Sequence, residues 1–208
     1  MKKFLICLLT VLPLQAGATV IYSVQKTGTV SNAGETFAAQ HRFYVGGMYD
    51  FSMWSNYSDG AFVAKGSESS GFDAVIGIRV SDIFRIEADY MQTQAKWDSF
   101  AIGTNSLFAN VILDARLDAP YRFFYNQHLV PYVGLGGGLA WVDGVEVTTK
   151  KDTVAVAAAL AGIGIEFDDF FTVDLGYRYV YMFASNVDVA PNLAPNGHQL
   201  RAGIRLNF

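Results

Sequence analysis

Apolar and polar side chains alternate with a period of two in eight stretches of the chain, which predicts eight strands, each with one greasy face. In residues 42–53, Phe43, Val45, Gly47, Tyr49, Phe51 and Met53 share one face. Arg42, Tyr44, Gly46, Met48, Asp50 and Ser52 share the other. The pattern returns at 72–80, where Phe72, Ala74, Ile76, Ile78 and Val80 oppose Asp73, Val75, Gly77 and Arg79. At 84–94, Ile86, Ala88 and Tyr90 oppose Arg85, Glu87 and Asp89, and at 107–116 Leu107, Ala109, Val111 and Leu113 oppose Asn110, Asp114 and Arg116.

The second half repeats the scheme. Residues 129–141 set Val133, Leu135, Leu139 and Trp141 against Tyr132, Gly134, Gly136 and Gly138, so their polar face is nearly bare. Residues 154–167 place Ile163, Ile165 and Phe167 opposite Gly162, Gly164 and Glu166, below an Ala-rich half with little pattern. At 173–181, Val173, Leu175, Tyr177, Tyr179 and Tyr181 oppose Asp174, Gly176 and Arg178. In the last stretch Leu200, Ala202, Ile204, Leu206 and Phe208 oppose Gln199, Arg201, Gly203, Arg205 and Asn207.

Connections alternate in length. Residues 54–70, 95–106, 143–153 and 182–196 are long, polar and rich in loop-forming residues, whereas Ser81-Asp82-Ile83 and Asp168-Asp169 are short turns. The stretch 117–128 breaks the rule as a longer aromatic connection. Long loops at one end and short turns at the other, with an even strand number, predict an all-β, eight-stranded antiparallel up-and-down transmembrane β-barrel over residues 41–208.

Composition agrees. Half the chain is hydrophobic (51%) and only 16% is charged, yet beyond the first twenty residues no apolar run is long enough for a spanning helix. The N-terminus reads as an export leader over residues 1–18: Lys2 and Lys3, an apolar stretch from residue 4 to residue 14, then Ala16-Gly17-Ala18 as a small-residue cleavage site. Cys7, the single cysteine, lies inside that leader, so no thiol chemistry is expected of the mature chain. With Lys2 and Lys3 removed from the 15 basic residues, 13 stand against 19 acidic ones, a net charge of −6 that gives no footing for nucleic acid.

Periodicity alone does not say which face is inside, because a soluble lipocalin-like barrel shows the same alternation with its greasy face inward. The charges decide. The polar faces carry Arg42, Arg79, Arg85, Arg116, Arg178, Arg201 and Arg205 against Asp50, Asp73, Glu87, Asp89, Asp114, Glu166 and Asp174, with no lysine. Arginine pairs with carboxylates in confined space, so the polar face is read as a buried ion network and the apolar face as lipid-facing. An eight-stranded barrel has an interior that side chains just fill. Glycines at 46, 77, 134, 136, 138, 162, 164, 176 and 203 on that face are expected to make room for long arginines. Aromatics group at two levels, Trp54, Tyr57, Trp97, Trp141, Tyr179, Tyr181 and Phe183 near the long loops and Phe84, Phe167, Phe170, Phe171 and Phe208 near the short turns. They are read as interfacial girdles.

The chain resembles the outer-membrane β-barrel domain family that includes opacity-type and other small surface antigens, similar to the transmembrane domain of outer membrane protein A. The resemblance rests on Phe43-Tyr44-Val45-Gly46-Gly47, Arg85-Ile86-Glu87-Ala88-Asp89-Tyr90 and Asn110-Val111-Ile112-Leu113-Asp114. Pro131 to Gly138, Gly176-Tyr177-Arg178-Tyr179 and Gly203-Ile204-Arg205-Leu206-Asn207-Phe208 complete it. It implies that Leu200, Ala202, Ile204, Leu206 and Phe208 form the insertion signal that the barrel-assembly machinery recognises. Residues 19–40 depart from the pattern as an additional N-terminal segment expected on the periplasmic side, for which a disordered arm, a periplasmic contact and a plug are all open.

Three functions are weighed. The first is a noncatalytic surface barrel, seated in outer-membrane lipid, that displays four loops for envelope integrity or contact with an extracellular partner. The second is a narrow channel for small solutes or ions. The third, least favoured, is a lipid-modifying enzyme at the rim, for which only His198, with Ser185 and Asp188 nearby in sequence, offers a base, while His41 and His128 lie toward the other end. No catalytic residue, cofactor or metal site is expected, since no His or acidic pair has ligand spacing.

Overall fold

The computed structural model describes residues 43–58, 63–115, 128–144, 151–167, 169–183, 185–187 and 190–208. Arg42, Arg116, His41, Asp188, residues 117–127, the expected leader 1–18 and segment 19–40 lie outside these. Eight long strands are present: β1 (Phe43–Trp54), β4 (Glu68–Ser81), β5 (Phe84–Lys96), β6 (Ala101–Asp114), β7 (His128–Gly144), β8 (Lys151–Glu166), β9 (Phe171–Met182) and β12 (Asn196–Asn207). They form a closed barrel in the order β1-β12-β9-β8-β7-β6-β5-β4, every pair antiparallel. Sequence neighbours pair throughout, and β1 closes the ring on β12.

Closure is what lets such a sheet exist in lipid, where an unpaired strand edge has no water to satisfy it. The seam runs from Trp54↔Gly197 to Tyr44↔Asn207. Its final rung joins Phe43 and Phe208, whose N–H groups each donate to the other's carbonyl, at 3.2 and 2.7 Å. At the short-turn end Asp82 and Ile83 reverse the chain between β4 and β5, with the register shifting between Arg79 and Ser81.

The strands are inside out relative to a soluble protein. Phe72 and Leu135 are 66% and 70% exposed, whereas the arginines Arg85, Arg178 and Arg205 are fully buried. Ordinary folds almost never bury guanidinium groups while exposing a continuous apolar wall. Among the described residues no helix is long and apolar enough to cross a membrane.

The long-loop end carries structure that the alternation did not predict. Between β1 and β4 the short strands β2 (Tyr57–Ser58) and β3 (Val63–Ala64) pair, and between β9 and β12 so do β10 (Ser185–Val187) and β11 (Ala190–Leu193). The first connection is tied to the second: Gly66 bridges Trp97, Asp98 N–H donates to the Lys65 carbonyl at 3.0 Å, and Lys65 N–H donates to Asp98 Oδ1 at 3.1 Å.

A layered lumen as the candidate functional site

Period-two geometry sends every second side chain of all eight strands into one narrow cylinder, where the side chains must satisfy one another. Three layers result. Nearest the short turns, Arg79 Nη2 donates to Glu166 Oε1 at 2.7 Å. Just above, Arg85 Nε donates to Asp114 Oδ1 at 3.1 Å and its Nη1 to Glu87 Oε2 at 3.3 Å. Tyr44 Oη donates to the same Glu87 oxygen at 2.9 Å. Arg205 pairs with Asp174 on the neighbouring wall. The Tyr44 ring lies between two guanidinium groups, 5.7 Å from that of Arg85 and 5.3 Å from that of Arg205. Arg85 also lies 4.8 Å from the centre of the Tyr132 ring.

The middle layer gathers two arginines and three aspartates from five strands. Arg178 Nη1 donates to Asp89 Oδ2 at 2.8 Å, its Nη2 lies 3.0 Å from Asp73 Oδ2, and its Nε donates to Gln199 Oε1 at 2.6 Å. Arg201 bonds Asp73 and reaches Asp89 Oδ2 at 2.9 Å. Asp50 stands 3.3 Å from Arg201 Nε and 3.6 Å from Arg178 Nη2. Gln199 Nε2 extends the layer to Ser52 Oγ at 2.9 Å. Each guanidinium thus spans several carboxylates, which a lysine's point charge could not do.

Above this the lumen turns mostly apolar, with Thr93, Thr104 and Ser106 the buried hydroxyls among it. Phe108 marks the boundary, with Arg178 5.2 Å from its ring centre. Beyond it Met91, Ala95, Ile102, Ala140, Val142, Val154, Val156, Ala158, Leu160, Val180 and Met182 pack as one buried cluster. Trp54, Trp97 and Leu193 close its upper side. Trp54 Nε1 donates to Ser69 Oγ at 2.9 Å and Trp97 Nε1 to the Ser55 carbonyl at 3.0 Å, so both indoles are buried with their polar atoms satisfied. Phe100 stacks on Trp97 at 4.8 Å.

Two expectations change here. Trp54 and Trp97 are not girdle residues; they are about 5% exposed and stop the barrel mouth. Their parity carried the signal, since Trp54 falls in register with inward Asp50 and Ser52, and Trp97 with inward Arg85, Glu87 and Asp89. Nor is the interior polar throughout, because Val154, Val156, Ala158 and Leu160 share the parity of inward Glu166. The unpatterned half of that strand is apolar on both faces, one toward lipid and one toward this upper layer.

The inward glycines make room for rings at least as much as for arginines. A Cβ at Gly162 would lie 2.5 Å from the Tyr132 ring, and one at Gly176 would lie 2.6 Å from its hydroxyl. At Gly77 it would collide with Tyr44. Gly164 does face Arg205, at 2.9 Å.

Of the fourteen charged residues expected inside, the twelve described are all buried: Asp50, Asp73, Arg79, Arg85, Glu87, Asp89, Asp114, Glu166, Asp174, Arg178, Arg201 and Arg205. Five arginines therefore meet seven acids, and the even balance expected from sequence depends on Arg42 and Arg116, outside the described residues. Leu200, Ala202 and Ile204 face outward on β12, Phe208 is exposed just beyond its end, and Leu206 is half-buried. His198 also faces outward, its Nδ1 2.5 Å from Tyr177 Oη. Among the described residues no three His, Cys, Asp or Glu side chains are grouped to hold a metal.

A search of curated proteins returns no match. Among solved structures, Neisserial surface protein A is similar at 22% identity and a TM-score of 0.62, the match covering 80% of this chain and 97% of that one. The outer membrane protein OprG from Pseudomonas aeruginosa is similar at 12% identity and a TM-score of 0.50, covering 81% and 96%. Residues 4–208 match the outer membrane protein beta-barrel domain as a family. The chain thus belongs to the outer membrane protein beta-barrel domain family, and its place is the bacterial outer membrane.

Proposed function

We propose that this protein is a noncatalytic surface barrel, a sealed peg in the outer membrane whose extracellular connections serve envelope integrity or contact with a partner outside the cell. The observation that carries this reading is the filled lumen. Ion pairs occupy its lower and middle parts and the cluster under Trp54 and Trp97 occupies its upper part. A packed lumen rigidifies the frame, and loops on a rigid frame are the usual carriers of recognition.

The narrow-channel reading draws on the charged lower layers, but an ion leaving them would have to cross a mostly apolar layer where only the hydroxyls of Thr93, Thr104 and Ser106 face inward, and desolvation there is expensive. A catalytic reading would need a base and a nucleophile in reach of each other. His198 instead contacts Tyr177 and Tyr179 on the lipid-facing wall, as an interfacial side chain does.

The test has two arms. Refolded protein in planar bilayers should show no steady conductance, and a reproducible open level would overturn the sealed-peg reading. Replacing residues 55–67 and 184–195 with short turns, in a chain that still shifts its gel mobility on heating, should abolish binding to outside surfaces or weaken detergent resistance of the cells. Unchanged cells would end the display reading.

A further inference from the structure

The middle layer of the lumen holds more negative than positive charge. Arg178 and Arg201 face Asp50, Asp73 and Asp89, and all five side chains are at most 4% exposed. Two guanidinium groups thus stand against three carboxyl groups where an uncompensated charge is costly. On its own strand Asp50 is flanked by Met48 and Ser52, and the far walls bring Phe108 from β6, Gly136 and Gly138 from β7 and Ala158 and Leu160 from β8, none of them titratable. The layer nearest the short turns has no positive charge to lend, since Arg79, Arg85 and Arg205 are engaged by Glu166, Glu87, Asp114 and Asp174. Arg42 and Arg116 are out of reach along the chain. At ~3.3 Å per residue Phe43 lies about 23 Å down β1 from Asp50, and Asp114 about 20 Å down β6 from Phe108.

Hydrogen bonding singles out one of the three acids. Asp73 accepts from both Arg178 and Arg201, and so does Asp89. Asp50 accepts from neither. Arg201 Nε at 3.3 Å and Arg178 Nη2 at 3.6 Å approach it without the geometry of a bond, and neither Asp50 oxygen receives one from any described residue. A carboxylate can only accept, so burying it without donors is expensive, whereas a carboxylic acid brings a donor of its own. That donor has a target, because the Asp73 carboxylate lies within hydrogen-bond reach of Asp50.

We infer that Asp50 is a neutral carboxylic acid whose proton, held against Asp73, is the third positive charge of the middle layer and makes the stability of the barrel fall in alkali. The sign follows from the unfolded chain, where Asp50 is an ordinary carboxylate, ionised above about pH 5. The folded barrel then binds one proton more than the unfolded chain, and stability drops as pH rises. Asparagine at this position keeps the shape and the donor and removes the titration.

The experiment compares the full chain as wild type, Asp50→Asn, Asp73→Asn and Asp89→Asn, refolded in detergent, by urea titration at several pH values from about 5 upward and by infrared spectroscopy. At the acid end Asp50→Asn should keep the wild-type midpoint. Asp73→Asn or Asp89→Asn, which strip bonds from both guanidinium groups, should lower it by about 1 M or more. As pH rises, the unfolding constant of wild type relative to Asp50→Asn should grow about tenfold per unit until the folded barrel itself releases the proton. At neutral pH wild type should show the C=O stretch of a buried carboxylic acid, lost in Asp50→Asn. The heat-dependent gel shift reports folding, and its absence from Asp73→Asn or Asp89→Asn counts as the expected loss. Wild type without the acid band, or Asp50→Asn that fails to fold or loses as much as Asp73→Asn, overturns the proposal. A wild-type midpoint that rises when sodium replaces choline at fixed ionic strength, with no acid band, overturns it in favour of a bound cation.

Discussion

Arg178 of β9 and Asp89 of β5 stand on opposite walls of the barrel and meet across it at 2.8 Å. The contact braces the cylinder through its axis, and the same guanidinium holds Asp73 and Gln199. Arg178→Ala would leave three buried aspartates facing Arg201 alone. Breaking a buried pair from one side typically costs about 3–5 kcal/mol. A urea titration in detergent should show a loss of that order, with part of it recovered in Arg178→Ala/Asp89→Asn.

Gly162 and Gly176 flank the Tyr132 ring closely enough that a methyl group at either position has nowhere to go. Gly162→Ala should destabilise the barrel by about 1–3 kcal/mol, the usual range for overpacking. Tyr132→Leu in the same chain should relieve the part of the clash that is with the ring, though not the part with the Leu175 carbonyl at 2.6 Å, and the non-additivity of the pair in unfolding titrations measures the ring's share.

Trp54 and Trp97 seal the upper lumen, and Trp97 also bonds the Ser55 carbonyl. Truncating either to alanine should lower stability by about 3–5 kcal/mol, as for buried aromatic side chains elsewhere. The double variant has a second signature. Planar-bilayer recordings should show small, flickering conductance that wild type lacks, because water can then reach the charged middle layer.

Phe208 packs edge-on against Phe170 at 5.6 Å between ring centres, while its backbone completes the seam with Phe43. Phe208→Ala should remove about 0.5–1.5 kcal/mol of ring pairing beyond the buried area. The family resemblance adds that assembly should slow, read as delayed appearance of the heat-modifiable form in pulse-labelled cells.

Alternation made the eight long strands legible because an inside-out barrel writes its two faces as two chemistries, and Arg178 or Leu175 can belong to only one of them. It fell short where both faces have the same chemistry. Val156 is buried and Ala155 faces lipid, yet a hydrophobicity scale hardly separates them. Large aromatics misled for a related reason: Trp97 suits an interface and a stopper equally, and only strand parity distinguishes the two. The small sheets β2/β3 and β10/β11 are too short to show any period. The pairing of Tyr44 with Glu87 was invisible because it joins walls through the lumen, a direction no local pattern records.

The layering has one more consequence, for the medium on either side of the membrane. Dissolved ions weaken only those charge pairs that water can reach, within a distance of about 8 Å at physiological strength. With Trp54, Trp97 and Leu193 in the buried cluster above them, Asp50, Asp73 and Asp89 are at most 4% exposed, so salt in the medium outside the cell should screen their pairs little. The fastening of the cylinder should therefore hold equally in dilute and in salty surroundings.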